Sequence, residues 1–146
     1  ENDPGRSTID SGNDLDTASI GQVVTMDVAV QRLDDLQLDD VGLVKIDVEG
    51  HELAVLRGAL DTLQRNRPAI VVEAEERHHA NAVAEIAALL DGVGYRGHFT
   101  VDGERLPIEE FDAARHQDPA NIGGAEDDWA ACGVYVNNFV FVPADH

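Results

Sequence analysis

The sequence predicts an α/β domain with a mostly parallel sheet and an antiparallel C-terminal edge. Three observations predict it. Two short apolar runs, GLVKIDV at 42–48 and AIVVEA at 69–74, flank a stretch with helical periodicity. A second helical stretch follows, and then a hairpin signal. Strands that alternate with helices build parallel sheets, because each crossover returns the chain to the same end.

The elements follow in chain order. Residues 1–21 are rich in Asp, Ser, Gly and Asn and are expected to form a loop or frayed segment, leaving 22–146 as the domain. A β-rich stretch at 22–30 predicts a strand, and Leu33-Asp34-Asp35-Leu36 a helical turn. The run at 42–48 has the pattern of a strand covered on both faces. Leu53, Leu56, Leu60 and Leu63 recur at three- and four-residue steps, which predicts one helix over 51–65, stopped by Pro68. Residues 69–74 make a second buried strand. Val83, Ile86, Ala87 and Leu90 form the inward stripe of a helix over 81–90, ended by Gly92 and Gly94. Strands at 95–101 and 104–107 flank Asp102-Gly103, a hairpin turn pair. Residues 109–131 are polar and irregular, a loop long enough to suggest a role in function. GVYVNNFVFV at 133–142 predicts the closing strand.

Composition excludes some partners. Acidic residues number 29 against 10 basic ones, for a net charge of -19. Nucleic-acid affinity rests on cations that neutralise phosphates, so this surface repels nucleic acid, and an anionic membrane face likewise. No apolar run approaches the roughly 20 residues of a membrane span. Cys132 is the one cysteine, so no intramolecular disulfide can form, which fits a cytoplasmic protein. GxSxG, P-loop and CxxC motifs are absent, and Gly123-Gly124 is too short for a phosphate cradle.

The chemistry concentrates after the first core strand. Asp47-Val48-Glu49-Gly50-His51-Glu52 lies where a parallel strand meets a helix, and ligands of open α/β sheets bind at that end of the strands. Asp47 and Glu73 end consecutive strands, so two carboxylates are expected at one edge, as a general base or as oxygen ligands for a divalent cation. Lys45 is the only lysine and sits inside a strand, where it needs a partner; Asp47 and Glu73 are the candidates, as a working group or as a salt bridge that orders the sheet. Glu52 fits a helix-dipole role better than a catalytic one. His78 and His79 lack metal-ligand spacing and suit the surface.

These motifs carry a family resemblance. Val28 to Leu36 (VAVQRLDDL), Val44 to Glu52 (VKIDVEGHE), Leu56-Arg57-Gly58-Ala59 and Arg67 to Glu73 (RPAIVVE) resemble FkbM-type S-adenosylmethionine-dependent methyltransferases. Gly94-Tyr95 and Asn138 to Val142 are similar to that family's last strands, so the resemblance runs over 28–143. It implies a partial Rossmann-like class I methyltransferase fold, with 42–48 as the fourth strand and 69–74 as the fifth. It implies S-adenosylmethionine as cofactor and a small-molecule hydroxyl, on a sugar or other metabolite, as acceptor. Asp47 is then the first candidate base and Glu73 the second, with Glu49 and His51 shaping the acceptor side. Residues 1–27 contain neither the family's first strand nor its Gly-rich cofactor turn, so the chain is expected to be the C-terminal half of the domain and cofactor-binding residues are not assigned. The rival expectation is a non-catalytic, partner-binding α/β module, or a homodimer that pairs exposed sheet edges.

Overall fold

The computed structural model describes residues 26–122 and 133–145. The chain divides into two compact units, Glu1–Val30 and Gln31–His146. Residues 1–21 lie outside the described residues. Of the strand expected at 22–30, the described residues 26–30 form no strand.

Every helix and strand described belongs to the second unit. Its strands are β1 (Leu43–Ile46), β2 (Ala69–Glu73), β3 (Tyr95–Val101), β4 (Glu104–Pro107) and β5 (Asn138–Pro143). Its α-helices are α1 (Glu52–Arg57), α2 (Leu60–Asn66), α3 (Ala82–Asp91) and α4 (Ala113–His116). The five strands form one sheet in the order β1-β2-β5-β3-β4.

The expected mostly parallel sheet is corrected by this topology. β1 and β2 are parallel, with Lys45 opposite Val71, whereas β5 runs antiparallel to both β2 and β3, and β4 antiparallel to β3. The last strand inserts between β2 and β3 instead of adding at the edge, so one pairing of four is parallel. Hydrophobic alternation reports which face a residue takes, and it is blind to strand direction and order.

One face of the sheet is buried. Ile46, Ile70, Val72, Phe139, Phe141, Tyr95 and Phe99 join helix residues Leu56, Leu63, Val83, Ile86 and Leu90 in a single cluster. Each fully buried leucine of this set contributes about 1.5–3 kcal/mol by leaving water. Strand β1 departs from expectation: Leu43 is 62% exposed and Lys45 is exposed, so this outer strand is not covered on both faces.

The helix expected over 51–65 is two helices. The leucine stripe runs through both, but the helical path breaks at Gly58 and Ala59. Asp34, on the Leu33–Leu36 turn, explains the break. Its carboxylate accepts from the Thr62 N–H (2.9 Å), the Thr62 hydroxyl (2.8 Å) and the Asp61 N–H (3.3 Å), and its own N–H donates to the Gly58 carbonyl (2.9 Å). A side chain from 27 residues upstream thus satisfies the free N–H groups that open α2. Of the stretch 109–131, the described residues 109–122 are less irregular than expected, holding α4, the Pro119–Asn121 3₁₀ turn and the end of another, Ile108–Glu110, while 123–131 lie outside the described residues. The closing strand starts at Asn138, not at 133.

Candidate active site at the strand ends

Strands β1 and β2 end side by side, so the chain leaving each turns over the same edge. After β1, Glu49 (φ 47°) and Gly50 (φ 102°) form a left-handed turn. The Gly50 N–H donates to Glu52 Oε1 (2.8 Å). Glu52 is 3% exposed, so the helix-dipole role is joined by a structural one: its carboxylate pins the turn. A side-chain carbon on Gly50 would lie 3.3 Å from the His78 Cβ, so this turn packs against the one that follows β2.

The Lys45 ammonium lies 3.0 Å from Asp47 Oδ2 and 3.7 Å from Glu73 Oε2, so both expected partners are met. It stays half exposed, as does Asp47. The Asp47 hydrogen bond, against a smaller desolvation effect, raises the Lys45 pKa and keeps the ammonium charged. Glu73 is more enclosed. Asn137 Nδ2 donates to its Oε1 (2.8 Å). Burial, then the Asp47 charge, hold the Glu73 carboxyl above the usual glutamate value, with Lys45 offsetting part of the rise.

Two residues on, Glu75 shows the opposite balance. Burial pushes its pKa up, but Arg77 and Tyr135 outweigh it and hold the carboxyl below the usual value. Arg77 grips both oxygens, Nε to Oε2 at 2.8 Å and an outer nitrogen to Oε1 at 2.9 Å. The Tyr135 hydroxyl donates to Oε2. Burial and this hydrogen bond push the Tyr135 phenol up to about 12, so it stays protonated.

A cavity of about 430 Å³ opens among Glu73, Glu75, Arg77, Asn121, Tyr135 and Asn137. A smaller one, about 100 Å³, lies among Asp47, Glu49, Glu52 and His78 and shares Glu73, Glu75 and Arg77 with the first. Three of the four expected site residues, Asp47, Glu49 and Glu73, therefore meet at one edge. His51 lines neither cavity; its Nε2 is buried with no hydrogen-bond partner among the described residues. Sequence reasoning missed Glu75, Arg77, Tyr135 and Asn137. Period-two alternation from Glu73 to Glu75 was the available signal, while Tyr135 is 60 residues from its partner. No group of three or more His, Cys, Asp or Glu among the described residues is placed to hold a metal ion. None of the described helices is long and apolar enough to cross a membrane.

A family model, the methyltransferase FkbM domain, matches residues 2–96. The chain belongs to the FkbM methyltransferase family. The match reaches further toward the N-terminus than the resemblance over 28–143 and stops at the start of β3. No curated protein and no solved structure gives a significant match. Within this FkbM chain the smaller cavity lies against the turn that follows β1, since Asp47 and Glu49 line it.

Proposed function

We propose that the protein transfers a methyl group from S-adenosylmethionine to a hydroxyl oxygen of a small metabolite or sugar. The observation that carries this reading is Glu73: a carboxylate with a raised pKa, at the end of a strand parallel to its neighbour, facing a cavity of about 430 Å³. A neutral hydroxyl requires a base, because its proton must leave as the new oxygen–carbon bond forms, and a raised pKa makes Glu73 a stronger base than an ordinary glutamate. Glu73 takes that proton. Burial, then the Asp47 charge, raises the Glu73 pKa, and Lys45 at 3.7 Å offsets part of the rise. Tyr135, whose O–H donates its hydrogen bond to Glu75, offers oxygen lone pairs to the acceptor.

The cofactor supplies an electrophilic methyl group on a positively charged sulfur. The acidic edge of Asp47, Glu49 and Glu73 suits such a cation. The glycine at the β1 turn does not suit the adenosine end: the His78 side chain already fills the space beside Gly50. No residue is therefore assigned to the adenosine. The Rossmann-like class I reading is supported by strand direction, since β5 opposes both β2 and β3 and so β1, β2 and β3 point the same way.

The test is transfer of labelled methyl from S-adenosylmethionine to a panel of hydroxyl acceptors. Glu73→Gln should cut turnover by roughly 10²–10⁴ with the fold retained. A folded protein that transfers to none of them, and a Glu73→Gln variant equal to wild type, would favour the non-catalytic module.

A further inference from the structure

Beyond Ala74 and Asn137, strands β2 and β5 stop pairing directly. The last backbone rung is the Ala74 N–H to the Asn137 carbonyl, 2.8 Å. The next donor along, the Val136 N–H, turns instead to the His116 carbonyl, 2.7 Å. Into the gap comes Gln117, the residue after α4, with 7% of its surface exposed. Its amide nitrogen donates to both the Ala74 carbonyl and the Val136 carbonyl, each at 2.8 Å. Its amide oxygen accepts from the Glu76 N–H, also at 2.8 Å. One buried carboxamide therefore replaces the ladder between two diverging chains.

The divergence is where the larger cavity opens. Glu73 and Glu75 flank Ala74 on one side of the gap, and Tyr135 and Asn137 flank Val136 on the other. The side-chain bonds that cross it, Asn137 to Glu73 and Tyr135 to Glu75, need the two chains at one fixed separation. A buried carboxamide with three backbone partners sets such a separation, because moving the chains apart would leave buried polar groups unpaired.

We propose that Gln117 is a positioning residue of the site, a spacer that holds the ends of β2 and β5 apart so that Tyr135 meets Glu75 and Asn137 meets Glu73. The proposal rests on the cavity being the methyl-transfer site. It also explains the long connection after β4, which delivers this one side chain from outside both strands.

The test reads the Tyr135 contact directly, at neutral pH and without turnover. The chain has two tyrosines, so the Raman doublet that reports phenol hydrogen bonding can be assigned by subtracting a Tyr135→Phe spectrum. In Gln117→Leu the doublet of Tyr135 should move from that of a strong donor toward that of a water-bonded phenol. A folded Gln117→Leu protein with an unchanged doublet overturns the proposal. A second measurement needs no variant. Gln117 supplies the partner of the Glu76 N–H, so that amide should exchange with solvent at least about tenfold more slowly than an open chain. Exchange at the open-chain rate overturns the proposal even where Gln117→Leu fails to fold. Neither readout depends on methyl transfer, so failure of the enzymatic reading, seen in Glu73→Gln turnover, is scored separately.

Discussion

The ends of β1 and β2 carry the same chemistry and put it in different surroundings. Just beyond the last residue of each stands a carboxylate beside a cation. At β1 the pair is Lys45 with Asp47, both half exposed. At β2 it is Arg77 with Glu75, whose side chain is 9% exposed and which also receives the Tyr135 hydroxyl. β1 is the outer strand of the five, whereas β2 lies between two neighbours. The carboxylate beyond the outer strand thus meets one half-exposed cation, and the one beyond the inner strand is enclosed and held by two fixed partners. Exposed pairs gain little because water screens them and long side chains must be ordered. Part-buried, hydrogen-bonded charges gain more, and stranding one costs more.

That contrast can be broken by mutation. Glu75→Gln should destabilise the fold by about 1–3 kcal/mol, because Arg77 and Tyr135 lose a charged acceptor in a half-buried place. Urea unfolding measures it. A loss no larger than at β1 would mean that burial does not distinguish the two ends. A smaller effect comes from His116, which packs on Phe99 and Phe111 with its Nδ1 accepting from the Asp112 N–H (3.0 Å) and its Nε2 buried with no partner among the described residues. Burial, then Arg115, hold its pKa below 6.5, while Asp112 acts the other way. The unfolded chain takes up this proton first, so the stability present above pH 6.5 is lost as the pH falls below it. His98, lowered by burial and by Arg105, adds to the same slope. Melting temperature followed from pH 8 to about pH 5.5 should drop, and drop less in His116→Leu; equal slopes would remove His116 from the account. The smallest effect belongs to β1. Asp47→Asn should change stability by less than about 1 kcal/mol. Its effect on rate sharpens the assignment of the base. Losing Asp47 removes the second-largest influence that raises Glu73, so the acid limb of the kcat/KM profile should move to lower pH. A turnover loss as large as that of Glu73→Gln would return the base to Asp47.

What the sequence made legible was local. The hairpin over 95–107 emerged with its bounds intact, because Asp102 and Gly103 set the turn by themselves. The stripe of Val83, Ile86 and Leu90 fixed the buried side of α3 for the same reason. Three features depended on distant residues and stayed hidden. The α1–α2 break is capped by Asp34 from across the chain, and nothing in the leucine spacing changes there. The insertion of β5 between β2 and β3 leaves alternation untouched while reversing the sheet's character. At the site, Asp47, Glu49 and Glu73 were visible as strand-end acids, but Tyr135, Asn137 and Gln117 gain meaning only once β5 lies beside β2. His51 was grouped with its sequence neighbours, yet it lines neither cavity.

Two glycines of the β3 hairpin have unlike reasons for lacking a side chain. A carbon on Gly97 would lie 2.5 Å from the Phe141 ring, so that position refuses bulk. Gly103, at φ 82°, has nothing within 4 Å of such a carbon. Space is free there, and handedness is the constraint. L-alanine is strained in this conformation, while its mirror image is at ease in it. A semisynthetic chain with D-alanine at 103 should therefore be more stable than the natural one by roughly 0.4–1 kcal/mol, through a stiffer unfolded chain. At 97 an L side chain would not fit. The hairpin thus holds a chiral requirement and a steric one six residues apart, and both are met by the one achiral amino acid.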